Sequence, residues 1–214
     1  MALLRALNIS VSQDGFMAGR SQSLESPLGV GGDKLHEWAF ATKSFHDWHG
    51  GSAGDVGIDD DFIHAGFENI GATIMGRNMF GPIRGKWSNY EWKGWWGDTP
   101  GFKHPVFVLT HFERPTIEYE NGTSFTFVTG GVDVAYRLAV NAAGKKDIRL
   151  GGGATTIRQY LNSGLLDELH IASVPISLGS GERLLSEDGD DLNAYELERR
   201  VESGPITHLV YQRN

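Results

Sequence analysis

The densest run of chemically useful residues spans 148–161, I-R-L-G-G-G-A-T-T-I-R-Q-Y-L, where a β-type segment passes through three glycines into a helical one. Without Cβ atoms, Gly151, Gly152 and Gly153 let the backbone approach a ligand closely, and the free N–H groups of a helix opening at Ala154 and Thr155 favour an anion. A phosphate or pyrophosphate suits such a cradle. A tight turn that binds nothing is the plainer reading, but three consecutive glycines exceed what a turn needs. The run is neither G-x-G-x-x-G nor a P-loop with its Lys. A second signal is I-M-G-R-N-M-F at 74–80, where Gly76, Arg77 and Asn78 close an apolar segment. This places a guanidinium at the carboxyl edge of a sheet, where doubly wound folds bind ligands. A lone Arg more often packs its stem and leaves its head in water. A third strand end, Leu109-Thr110-His111, offers a hydroxyl and an imidazole at the same edge.

An acidic side chain facing such a site could fix a flat heterocycle by paired hydrogen bonds and support its protonation. Two places supply one. Asp59, Asp60 and Asp61 open a helical pattern, where capping is the ordinary role, and Asp14 sits in an Asp-Gly turn. His36, His46, His49 and His64 do not make a metal site on this reading, because ligation needs three or four converging groups. The segment K-W-S-N-Y-E-W-K-G-W-W-G-D (86–98) could roof a flat ring, line a dimer interface or pack beneath a long loop.

The elements that must position these residues alternate. Strands are expected at Leu3–Val11, Ala72–Met75, Pro105–Thr110, Phe125–Thr129, Asp147–Leu150 and Leu169–Pro175, from β-rich runs bounded by turn residues. Helical spacing predicts one helix from Asp59 to about Gly71, one over Val132–Ala143 and one over Ala154–Asn162. Residues 22–57 read as a long insertion with one helix around Leu35–Phe40, and 81–104 as a second loop. Tyr195–Val201 and Thr207–Arg213 read as a terminal antiparallel hairpin. This order calls for one α/β domain over 1–214, with a mainly parallel central sheet, helices on both faces and an antiparallel edge.

Composition narrows the function classes. The 214 residues are 40% hydrophobic and carry a formal charge of -8, which disfavours nucleic acid and anionic membrane as partners. No apolar run reaches the ~18 residues of a spanning helix, and residues 1–10 are too short for a secretory signal, so a cytoplasmic location is expected. With no cysteine, disulfides, thiolate zinc sites and thiol nucleophiles are absent. The 29 glycines are about twice the usual share and gather at junctions between apolar segments.

Together, I-S-V-S-Q-D-G-F-M-A-G, T-I-M-G-R-N-M-F, V-F-V-L-T-H and the G-G-G-to-D-E-L-H-I-A-S-V-P block resemble the reductase domain of the bacterial bifunctional riboflavin deaminase-reductase. That domain is dihydrofolate-reductase-like, and the resemblance covers the chain outside its two loops. It implies NADPH as cofactor. Gly151, Gly152 and Gly153 would meet the phosphates beside Ala154 and Thr155, and Arg77 and Asn78 beside Gly76 the adenosine end. Thr110 and His111 would meet the 2′-phosphate, and Asp14 to Ala18 the nicotinamide side. Dihydrofolate reductases place a carboxylate in the helix before their M-G-R strand, and Asp60 stands at the matching separation, fifteen residues before Met75. Asp60 and Asp14 are therefore the expected catalytic acids.

The implied reaction is reduction of a pyrimidine or pterin-like heterocycle, as in 5-amino-6-(5-phosphoribosylamino)uracil reduction, by a homodimer without a metal. The zinc chemistry of the deaminase half cannot occur in a chain without cysteine. Two alternatives stay open: a dihydrofolate reductase-like enzyme on another flat carbonyl or imine, and a non-catalytic nucleotide-binding protein.

Overall fold

The computed structural model describes residues 2–187 and 190–214, without the side chain of Asp190; Met1, Asp188 and Gly189 lie outside them. Its elements run β1 (Leu4–Ser12), β2 (Phe16–Gly19), α1 (Glu37–Phe40), α2 (Lys43–Trp48), α3 (Ile58–Ala65), β3 (Ile70–Gly76), α4 (Arg77–Phe80), β4 (Pro105–Leu109), β5 (Ile117–Glu118) and β6 (Ser124–Val128). There follow α5 (Val132–Ala143), β7 (Asp147–Leu150), α6 (Ala154–Asn162), β8 (Glu168–Val174), β9 (Gly181–Arg183), β10 (Tyr195–Ser203) and β11 (Ile206–Arg213). Nine strands form one sheet in the order β10-β11-β8-β1-β7-β3-β4-β6-β5. The pairings from β8 through β6 are parallel, and β5 and the β10–β11 hairpin close the edges antiparallel.

Parallel strands are buried on both faces, and β3 shows this in a nearly unbroken apolar run, with Ala72, Ile74 and Met75 fully buried. Along β8 successive residues alternate between layers. Leu169 and Ile171 pack with Ala135, Ala139, Ile157 and Tyr160 of α5 and α6, whereas Ala172 and Val174 pack with Leu35, Trp38 and Ile63 on the opposite face. The exposed edge strand β10 carries Glu196, Glu198, Arg199 and Arg200, charges that discourage pairing with another chain.

Two expectations need correction, and one feature is additional. The helix opening at Asp59 stops at Ala65, and Ile70 begins β3 instead of ending the helix. The Gly66 N–H closes the last turn on Phe62 and Ile63, and Asn69 then turns the chain at a left-handed φ of 57°. The 22–57 insertion holds a 3-10 turn (Gly32–Leu35) and two short helices instead of one. They are separated because Thr42 is extended and caps α2, its Oγ1 accepting the Phe45 N–H at 3.4 Å. A small second sheet, β2 with β9, was not expected; it pairs Ala18 with Glu182.

Candidate active site

At the carboxyl ends of β3, β4, β6 and β7 the surface opens into a cavity of about 1260 Å³. That exceeds the ~300–1,000 Å³ of a single small-ligand pocket and leaves room for two molecules side by side. All eleven residues expected to bind the cofactor line it: Ala18, Gly76, Arg77, Asn78, Thr110, His111, Gly151, Gly152, Gly153, Ala154 and Thr155.

Two of the glycines are demanded, one by close approach and one by backbone conformation. The Gly76 N–H donates to the Gly152 carbonyl at 2.6 Å, and a Cβ on Gly76 would lie 2.3 Å from Thr156 Oγ1. Gly152 has a φ of +120°, a conformation L side chains rarely adopt. Gly153 differs, since a Cβ there would meet nothing within 4 Å, so open space lies over it. No side chain caps the nine-residue α6 that Gly153 begins, and its first N–H groups are left for a ligand.

The Arg77 guanidinium lies over Trp87, 3.7 Å from the ring centroid, and one of its Nη groups donates to the Gly85 carbonyl. Its Nε and other Nη are buried without partners. Burial, and then the neighbouring Arg114 and Arg84, lower its pKa, so the group is a crowded cation in search of an anion. Thr110 is buried and its hydroxyl engages the Phe112 backbone, accepting the N–H at 3.2 Å, while His111 is exposed at the rim. Asn78 Nδ2 donates to Gln22 Oε1 at 3.4 Å. Orphaned guanidinium N–H groups, open space over Gly153 and an uncapped helix start fit the phosphates of a dinucleotide such as NADPH.

The expected acids are placed differently. Neither Asp60 nor Asp14 lines the cavity. Asp60 Oδ1 accepts the Ser44 N–H at 2.6 Å, which satisfies an open donor in the first turn of α2. Asp14 accepts from Ser12 Oγ at 2.6 Å and from the N–H groups of Leu178 and Gly179 at 3.1 and 2.7 Å. The Ser12 hydrogen bond, outweighing some desolvation, and those backbone donors hold its pKa down at about 2, so it is ionised and pins a turn. Asp59 accepts from His208 Nε2 at 2.8 Å.

The tryptophans divide. Trp87 is buried beside Phe80 and Phe127, whereas Trp95 and Trp96 line the cavity with Trp48. Among the wall residues that sequence reasoning did not place there are Asn8, His36, Phe67, Thr73 and Arg149. Burial, partly offset by Asp33, lowers the His36 pKa to about 4, so it is neutral at pH 7. Among the described residues no three His, Asp or Glu side chains are grouped to hold a metal, and no helix is long and apolar enough to cross a membrane.

Comparisons with known proteins bear on the family and the fold. The model of the RibD C-terminal domain matches residues 6–206. The uncharacterized protein YyaP of Bacillus subtilis (strain 168) is 35% identical over 165 residues, which cover 73% of this chain and 82% of YyaP. Among solved structures, a protein of Shewanella sp. PV-4 provisionally assigned to riboflavin biosynthesis superposes with a TM-score of 0.60 at 22% identity, covering 100% of this chain and 99% of the other. Dihydrofolate reductase from Enterococcus faecalis, complexed with NADP(H) and RAB-propyl, gives 0.51 at 13% identity over 99% and 96% of the two chains. The fold is dihydrofolate-reductase-like, and the chain belongs to the RibD C-terminal domain family.

Proposed function

We propose that this protein is an NADPH-dependent reductase of a flat, pyrimidine- or pterin-like heterocycle. The observation that carries the reading is a single cavity that joins an open glycine cradle and a half-paired Arg77 to an aromatic-walled far end. Gly151, Gly152, Gly153, Ala154 and Thr155 would hold the cofactor's phosphates, Gly76, Arg77 and Asn78 its adenosine end, and Thr110 and His111 its 2′-phosphate. Ala18 would lie beside the nicotinamide. The bound cofactor supplies a hydride to the carbon of a C=N or C=O bond.

The chain's own residues bind and orient the reactants. Trp48, Trp95, Trp96 and Phe67 offer flat faces for a ring. The heteroatom of the reduced bond would take its proton from water, because among the described residues the one carboxylate lining the cavity, Glu182, faces Arg84 at 3.6 Å. The assembly proposed with this activity is a homodimer, which sedimentation velocity tests. Loss of NADPH absorbance against a panel of pyrimidines, pterins and dihydrofolate is the deciding assay. Turnover of at least one compound is expected. NADPH binding without turnover of any would favour the nucleotide-binding alternative, and no NADPH affinity at all would overturn the reading.

A further inference from the structure

Outside the cofactor set, three side chains lining the cavity carry buried polar atoms with no partner, Asn8, Trp96 and Arg149, and two of them, Asn8 and Arg149, have hydrogen-bonding groups that can read a heterocycle's edge and charge. Asn8 sits at an irregularity in β1 between Ala6 and Ile9, with a left-handed φ of 60°. Its Oδ1 and Nδ2 are both buried and unbonded. On β7, Arg149 pairs in register with Thr73 of β3, and its Nε is likewise buried and unbonded. Its guanidinium lies 4.7 Å from the Phe67 centroid, and Phe67 stacks on Trp48 at 5.1 Å and 11°. Among the described residues no carboxylate pairs with Arg149; the nearby Asp147 and Glu168 are taken by Arg5. Burial lowers its pKa to about 10, so it is cationic at neutral pH. Folded proteins leave few buried polar groups unsatisfied, and those they leave call for an explanation.

The conformation of Asn8 is held from behind. Its backbone N–H donates to His170 Nδ1 at 3.1 Å, His170 Nε2 meets His208 Nδ1 at 3.0 Å, and His208 Nε2 meets Asp59 Oδ1 at 2.8 Å. An amide N–H can only donate, which fixes every proton in the chain. His170 is protonated on Nε2, His208 accepts at Nδ1, and His208 Nε2–H donates to Asp59. Both rings stack near Phe62, with centroids 4.4 and 4.0 Å away. A Cβ on Gly66 would lie 2.0 Å from Asn8 Nδ2, so the carboxamide also needs a glycine beneath it. This much support around a half-buried Asn with unused hydrogen-bonding atoms is that of a recognition group.

We propose that Asn8 and Arg149 select the substrate, a flat heterocycle with a lactam edge for the Asn8 carboxamide and a carboxylate or enolate oxygen for Arg149. The carboxamide offers one donor and one acceptor, the complement of a cyclic N–H/C=O pair. The guanidinium offers a fork of donors suited to an oxyanion. Asp59, His208 and His170 are positioning residues that act through Asn8. The inference rests on the reading above only in taking this part of the cavity as the substrate's.

The test uses pterin-6-carboxylate and 6-methylpterin, which share the lactam edge and differ in charge, titrated by quenching of tryptophan fluorescence. The unmutated protein is expected to bind the carboxylate about tenfold or more tightly, the range of a hydrogen bond to a charged group. Arg149→Met should abolish that preference and Arg149→Lys should retain part of it. Asn8→Ala should weaken both compounds alike and leave the preference unchanged. NADPH titrations of the same variants report on folding and are expected to match the unmutated protein. Equal binding of the two pterins, binding of neither, or a preference that survives Arg149→Met overturns the proposal. If the pterins are discriminated and NADPH is not bound, the recognition pair stands and the reductase reading falls.

Discussion

Acidification from pH 7 to pH 5 should destabilise the protein well before its carboxylates protonate. His170 is fully buried, and desolvation, then His208 and Arg199, lower its pKa to about 3. His36 and His104, half-buried, are each lowered by desolvation to about 4. Unfolded histidine titrates near 6.5, so between that value and the folded one the unfolded chain binds more protons and stability falls as pH falls. At pH 5 each fully buried neutral histidine costs about 2 kcal/mol, being ~1.5 pH units at 1.36 kcal/mol each. His170 contributes all of that and the two half-buried rings contribute less, for a total of about 3–5 kcal/mol, a large part of a typical 5–15 kcal/mol stability. Asp14 acts with the same sign but only as pH falls below its ordinary 3.8 towards 2. Urea unfolding at pH 7, 6 and 5 measures the loss as a falling midpoint at constant slope. His170→Asn keeps an acceptor for the Asn8 N–H and should flatten the dependence by about one proton. A midpoint that holds or rises on acidification would refute the reasoning, because it would mean that the buried rings are charged in the folded protein, with His208 as an ion pair to Asp59.

Three further outcomes bear on the site. Gly153→Ala should leave urea stability unchanged, since its Cβ meets nothing, yet lower NADPH affinity by ~10-fold or more in calorimetry by filling the ligand's space; unchanged affinity would move the cradle elsewhere. Arg77→Ala should narrow the ratio of kcat/KM for NADPH over NADH, because its unpaired N–H groups are those expected to meet the 2′-phosphate end; an equal ratio in the unmutated protein would count against the assignment. Asp60→Asn should cost about 1 kcal/mol of stability by weakening its bond to the α2 start, with kcat changed by less than about threefold. A ~100-fold fall in kcat with NADPH binding intact would return that carboxylate to proton delivery.

What was legible in the chain is what glycine and strand ends announce. Gly76, Thr110 and Gly151 each follow an apolar run, and parallel strands bring such ends to one edge, so three separate motifs arrive at one cavity. Asn8 was not legible, because a polar residue inside an alternating strand reads as solvent-facing until the left-handed φ turns it. Arg149 alternates with Ile148 and Leu150 as any half-exposed residue would, and only Phe67, brought in from beyond α3, shows what it faces. Asp60 illustrates the limit of spacing arguments. Its partner Ser44 lies in the insertion, which no periodicity in the helix itself could reveal.

The crowding of Arg77 by Arg84 and Arg114 has a kinetic side. In a chain of net charge -8, most of the surface repels an anionic dinucleotide, so Arg77 and Arg84, which line the cavity, make its mouth the attractive approach. Field lines from a local positive cluster between low-dielectric walls focus arrival there, and mobile ions weaken that focus over about 8–10 Å. Association of NADPH should therefore slow with added salt while dissociation, governed by buried contacts, changes little. Glu182 already offsets Arg84 at 3.6 Å, so what an arriving phosphate would relieve is the burial of the Arg77 charge itself.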